Sequence, residues 1–179
     1  LALARPLHRE SGPRLQASLE QATDDATQVR AVEALAFIAP AEMQQLLVHL
    51  VETGSTAALR TQACLGLRGS DDSDAIDAMV HAALNDTSSE MRAAAAEGLG
   101  LAGRRCPIVV LEKMLRRELE PSVRVAAATG LGQSGLLDAV DVLLPLMKNP
   151  AETEDVRESA AQALGLFPGP DVMFALVDG

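Results

Sequence analysis

The chain has 179 residues, a net charge of −10 and 48% apolar content, with no Trp, no Tyr and three Phe. That apolar fraction can bury a core. The acidity and the missing aromatic rings argue against nucleic acid and against an anionic membrane surface, and the charge would steer basic partners instead. No apolar run approaches the roughly 20 residues of a membrane span, so no membrane insertion is expected. Ala and Leu lead the apolar content and also lead helix propensity, which points to an all-α fold.

In chain order, apolar residues at helical spacing predict a helix near 12–22, carrying Leu15 and Leu19, and another near 27–38. Met43, Leu46, Leu47, Leu50 and Val51 follow i, i+3, i+4, i+7, i+8 and predict a helix near 41–53, with the next near 56–67. Ile76, Met79, Val80, Ala83 and Leu84 repeat that pattern near 73–84, before a helix near 88–101. Leu111, Met114 and Leu115 place one near 107–119, followed by 121–133. Val140, Leu143, Leu144 and Met147 place one near 136–147, followed by 154–166, and a last segment is expected near 169–177. The links "TGST", "GSDDSD", "NDTSS", "EPS" and "NPAETED" are rich in turn residues. Pro107 and Pro121 suit an opening helical turn. No stretch alternates with period two, so no strand is expected.

Every second helix contains an arginine around which the chain repeats. "QVRAVEALAFIAP", "ALRTQACLGLRGS", "EMRAAAAEGLGLAG", "SVRVAAATGLGQSG" and "DVRESAAQALGLFPG" align on Arg30, Arg60, Arg92, Arg124 and Arg157, with spacings of 30, 32, 32 and 33 residues. In this alignment position −1 is always apolar, +3 is Ala except at Glu33, and +7 is Phe37, Leu67, Leu99, Leu131 or Leu164. These positions share one helical face. Small residues at +4 (Ala34, Cys64, Ala96, Ala128, Ala161) and at +8 (Gly100, Gly132, Gly165) permit close packing. A helical hairpin cannot bury such faces alone; stacked hairpins can. The expected architecture is one domain over 1–179, a slab of about five to six hairpins with the helices about 8–10 Å apart.

The recurring V-R-x-x-A-A-x-x-L-G string resembles the HEAT repeat, in particular the short bacterial form seen in phycobilisome-lyase-like proteins, and the resemblance covers nearly the whole chain. It implies a right-handed α-α superhelix, an α-solenoid, that binds a protein or peptide. It also implies an accessory or chaperone-like subunit of a modifying enzyme as the alternative. Such repeats tend to place an acid six residues before the arginine, forming a ladder between units. Asp24, Asp86 and Glu118 hold that place before Arg30, Arg92 and Arg124, while Gly54 and Ala151 hold it before Arg60 and Arg157. Glu52 or Glu152 could substitute. "LALARP" at 1–6 and "GPDVMFALVDG" at 169–179 read as an unfinished hairpin at each end, with Leu1, Leu3, Phe174, Leu176 and Val177 in place of polar caps. A fragment of a longer chain, or ends that self-associate, is expected.

The chemistry-bearing residues do not assemble into a motif. His8, His49 and His81 have no nucleophile arrangement, and His49 and His81 fall at the edge of an apolar face. HEAT-like iron hydroxylases acting on deoxyhypusine use His-Glu pairs, and the chain has no His-Glu dipeptide. HEAT-like DNA glycosylases use basic and aromatic groove residues, which fail here for want of Trp and Tyr. Asp71, Asp72, Asp74 and Asp77 lack the central Gly and distal Glu of a calcium loop and read as helix caps. Cys64 and Cys106 lack metal-type spacing and read as buried thiols of a reducing, cytoplasmic compartment. Arg outnumbers Lys thirteen to two, as in GC-rich bacterial genomes. Gly98, Gly100 and Gly103 spell G-x-G-x-x-G, as do Gly130, Gly132 and Gly135, but a dinucleotide fingerprint must open a helix, whereas these glycines close one. No catalytic residue, cofactor or metal is expected. In the resembled family the second helices line the concave side, so positions +1 and +5 become the candidate partner face. These are Ala31, Leu35, Thr61, Leu65, Ala93, Glu97, Val125, Thr129, Glu158 and Gln162, with Arg68 adding a charge.

Overall fold

The computed structural model describes residues 17, 19, 21, 22, 24–38 and 43–169. The end segments 1–6 and 170–179, His8, and most of the helix expected near 12–22 lie outside the described residues. Among the described residues nine α-helices follow one another with no strand: α1 (Asp25–Ile38), α2 (Gln44–Thr53), α3 (Ala57–Gly66), α4 (Ser73–Asn85), α5 (Ser89–Gly100), α6 (Ile108–Arg117), α7 (Pro121–Ser134), α8 (Asp138–Lys148) and α9 (Glu154–Leu164). The chain is an α-solenoid. α2 packs on α3, α4 on α5, α6 on α7 and α8 on α9 as hairpins, and each hairpin leans on the next.

Short polar side chains start these helices. Thr56 accepts the Leu59 N–H at 3.3 Å, Asp72 accepts those of Asp74 and Ala75 at 3.0 and 3.2 Å, and Ser88 accepts that of Met91 at 3.3 Å. Each satisfies donors the first helical turn leaves unpaired. α6 stops at Arg117, two residues before the expected end. The Glu118 carboxylate takes the Leu119 and Glu120 N–H groups at 3.0 and 3.1 Å, turning the chain out of the helix and leaving Leu119 exposed.

The second helices α1, α3, α5, α7 and α9 form one layer and α2, α4, α6 and α8 the other. Successive second helices touch along far more of their length than successive first helices do. The slab is therefore concave on the second-helix side. Glycine makes this approach possible. A Cβ on Gly130 would lie 2.6 Å from the Ala96 carbonyl oxygen, one on Gly132 would lie 2.6 Å from the Ala163 Cβ, and one on Gly100 would run into the Gly130 backbone. The third glycine of each G-x-G-x-x-G ends the packing: Gly103 and Gly135 have φ of 60° and 64°, a left-handed turn that favours Gly.

The first unit departs from the alignment on Arg30. Leu67, Leu99, Leu131 and Leu164 at +7 are buried, but Phe37 is 89% exposed, while Ala31, Val32 and Leu35 are buried. Counting from Gln28 instead removes the mismatch. Ala31 then takes the +3 place of Ala63, Leu35 the +7 place of Leu67, and the spacing to Arg60 becomes 32. Two contacts agree. The Gly66 position abuts Ala36 as Gly130 abuts the preceding helix, and Asp24 caps α1 where Thr56 and Ser88 cap theirs, accepting the Thr27 N–H at 2.9 Å.

Gly100→Ala should therefore cost about 2 kcal/mol, because backbone must move to admit the methyl group. Gly135→Ala, with open space around its Cβ position, should cost only the strain of a left-handed alanine, about 1 kcal/mol. Urea unfolding of both variants measures the order, and a larger loss for Gly135→Ala would contradict it.

Candidate functional site

The inner edge of the hairpins carries a ladder of arginines. Arg60 donates from Nε and Nη2 to both oxygens of Asp86 at 2.8 and 3.0 Å, and from Nη1 to the Gly54 carbonyl at 3.0 Å. Arg92 repeats this with Glu118, at 2.6 and 3.0 Å, and with the Asp86 carbonyl at 2.9 Å. Arg124 pairs with Glu152 and reaches the Glu118 carbonyl at 3.4 Å. Each guanidinium thus grips the backbone six residues before it and the carboxylate of the following unit. The acid does not pair with the arginine six residues on; that arginine takes its carbonyl. Glu152 fills the last acid place, as one of the two substitutes considered.

The ladder roles expected of Asp24 and Arg30 are corrected by this geometry. Asp24 is the α1 cap, also accepting the Thr27 hydroxyl at 2.7 Å, and Arg30 is exposed off the rung position. Gln28 holds that position and donates to the Ala22 carbonyl, six residues back, at 3.3 Å. The acid it would face falls at Gly54, so this rung is neutral on both sides.

Arginine hydrogen bonding holds the Asp86 and Glu118 carboxyls below their ordinary range and raises the Arg60 and Arg92 guanidinium values. Three cavities, of about 280, 520 and 500 Å³, open between successive first helices beside Arg60, Arg92 and Arg124. Each arginine already has its carboxylate and its carbonyl, so the cavities flank a structural clamp.

The candidate partner face lies on the second-helix layer, away from these cavities. Thr61, Leu65, Ala93, Glu97, Val125 and Thr129 are half-buried and Glu158 and Gln162 are exposed, side by side on α3, α5, α7 and α9. Ala31 and Leu35 do not join them. Both are buried, Leu35 completely, because the first unit counts from Gln28. The equivalent residues are Val29, half-buried, and Glu33, exposed. Polar groups on this face are bonded across units: Arg68 Nη2 to Glu97 Oε2 at 3.1 Å, and Thr129 Oγ1 to Ser159 Oγ at 3.2 Å. Ser159 also donates to the Val125 carbonyl at 3.2 Å.

A third row completes the face. Position +9, one turn beyond +5, is Phe37, Gly69, Leu101, Gln133 and Leu166, and Phe37, Leu101 and Leu166 are 89%, 40% and 63% exposed. Sequence reading missed this row. The signal available was the 32-residue register, which aligns Phe37 with Leu101 once Gln28 is the origin.

Other chemistry-bearing residues stand apart. Cys64 and Cys106 are free and buried, with burial pushing their thiols up to about 12 and about 11. His49 and His81 are exposed. Asp72 is the α4 cap. Among the described residues no three His, Cys, Asp or Glu side chains gather as a metal-holding group, and no helix is long and apolar enough to cross a membrane.

Residues 12–100 and 108–179 match HEAT repeats. No curated protein sequence matches the chain. Among solved structures, human deoxyhypusine hydroxylase in complex with glycerol is similar, with a TM-score of 0.51 and 19% identity over 95% of this chain and 67% of that one. At this identity the likeness is one of fold.

Two predictions concern the ladder. Arg92→Ala should cost about 2–3 kcal/mol, since it strips a largely buried Glu118 of a charge-assisted bidentate partner. The depressed carboxyls contribute stability above the unfolded carboxylate range, and that stability is lost as pH falls through their folded values. The wild-type melting temperature should therefore drop below about pH 4, and the drop should be smaller in Arg92→Ala. Thermal unfolding from pH 7 to pH 2.5 tests both, and an equal drop in the two proteins would contradict the assignment.

Proposed function

Because the chain belongs to the HEAT-repeat family, we propose that it is a non-catalytic interaction scaffold whose concave face holds a partner protein or peptide. The observation that carries this reading is the exposed apolar row Phe37, Leu101 and Leu166. A solitary exposed leucine needs no explanation, but large apolar residues in one repeat register bordering a half-buried face match the layout of a binding surface. The face is also organised in advance. Cross-unit bonds such as Arg68–Glu97 hold its side chains in place, which lowers the ordering cost of binding. From Arg60 onward the ladder pins one hairpin to the next, so the spacing a partner reads there is set before it arrives. The net charge of −10 disfavours nucleic acid as that partner. The buried free thiols suit a reducing, cytoplasmic setting.

A photo-crosslinking residue at Val125 should capture a partner from an extract of the source cells, and Leu65→Glu combined with Phe37→Ser should abolish capture while the circular dichroism spectrum is retained. The same crosslinker at His49, on the outer face of α2, is the control. Capture from His49 and not from Val125 would overturn the concave assignment.

A further inference from the structure

The concave face combines an apolar rim with carboxylates. Glu33, Glu90 and Glu158 stand exposed along it, and Glu97 is already tied to Arg68. Exposed Arg30 and Arg157 sit one position to either side of the +1 row. From position −2, where Glu90 lies, to the +9 rim is eleven residue steps, about 16 Å at the helical rise of 1.5 Å per residue. That width accommodates a helix with its side chains, about 10–12 Å across, and is generous for a single extended strand. Between the carboxylates and the rim the floor combines apolar or small side chains, Val29, Leu65, Ala93 and Val125, with the threonines Thr61 and Thr129.

Resting on the concave reading above, we infer that the occupant is a basic amphipathic helix of a partner protein, its apolar stripe on the Phe37–Leu101–Leu166 rim and floor and its Lys and Arg residues beside Glu33, Glu90 and Glu158. Long-range attraction to a chain of charge −10 speeds its encounter. The rim sets its orientation. A second copy of the chain is a poor occupant, because two bodies of that charge repel each other as they approach.

The test uses two fluorescein-labelled synthetic helices with the same leucine pattern, one with Lys and one with Glu at its polar positions, titrated with the purified chain by fluorescence anisotropy. The Leu/Lys helix should bind and the Leu/Glu helix should not. Glu33→Lys with Glu158→Lys should weaken binding at least about tenfold, a loss that close charge reversal can supply. Asp77→Lys with Asp141→Lys, on the outer faces of α4 and α8, makes the same change in net charge and should leave the Kd within about twofold if location rather than total charge governs binding. Equal weakening by both pairs, or equal binding of both peptides, overturns the inference. So does a dimer in sedimentation velocity that Phe37→Ser with Leu101→Ser dissolves, since a second copy would then hold the face. Should the native partner crosslink from Val125 while the Leu/Lys helix fails to bind, the basic-helix inference falls alone. If it crosslinks only from His49, the concave reading falls as well.

Discussion

The close approach of successive second helices is the constraint from which the rest follows. Two helix backbones approach most closely where neither carries a Cβ at the crossing, and Gly100 meets Gly130 in that way. The first helices have no such pair between them and stay further apart. One layer is thereby shorter than the other, and the slab curves. The curved inner surface exists because of backbone contact, and its residues can be chosen freely only where they point away from that contact. Positions +3, +4 and +7 have no such freedom; +1, +5 and +9 do. Packing claims the first set and leaves the second free to vary.

Glycine contact alone would leave the joint between hairpins free to slide. The arginine rungs remove that freedom at the edge where the hairpin loops lie. A guanidinium presents a planar fork, and in Arg60 and Arg92 the fork spans two units, with one nitrogen on its own loop carbonyl and two on the next unit's carboxylate. Lysine could supply the charge but not the geometry. The neutral first rung supports this division of labour. Gln28 keeps the bond to its own loop carbonyl and gives up the charge, at a joint where Gly54 offers no carboxylate to meet. Arginine at Gln28 would face no acid from Gly54, and an acid at that glycine would meet no cation from Gln28. Gly54 is further constrained because a Cβ there would lie 2.6 Å from the Leu50 carbonyl oxygen and 2.9 Å from Arg60 Cγ.

Much of this architecture was legible in the chain. Five arginine-centred stretches, helical spacing of apolar residues and turn-rich links define stacked hairpins. The glycine motif was readable as well, because both copies close a helix. Two things were not. The origin of the first unit was misplaced by two residues, since Arg30 offers a better residue match than Gln28, and identity was weighed above burial. Glu33 at an alanine place and Phe37 at a leucine place were the visible cost of that choice. A carboxylate cannot occupy a position where four other units bury a methyl group. The same slip moved Ala31 and Leu35 from the core to the partner face on paper. The +9 row was invisible for a different reason. In three units, at Gly69, Leu101 and Leu166, it lies just past the helix end, where periodicity no longer says which way a side chain points, and only the stacking of units shows that it borders the groove.

The corrected register also changes what the exposed apolar residues mean. In the arginine alignment Phe37 was a core anchor, and its exposure would count as a defect at the end of the stack. Counted from Gln28, the core anchor is Leu35, fully buried, and Phe37 falls in line with Leu101 and Leu166. A repeat protein can tolerate an apolar residue at one exposed place by accident. Repetition at the same register, on the face that curvature makes concave and beside side chains already bonded across units, ties exposure to the architecture. Three of five units carry an exposed apolar residue at a place that packing does not need, and this is the physical ground of the proposal that a partner sits there.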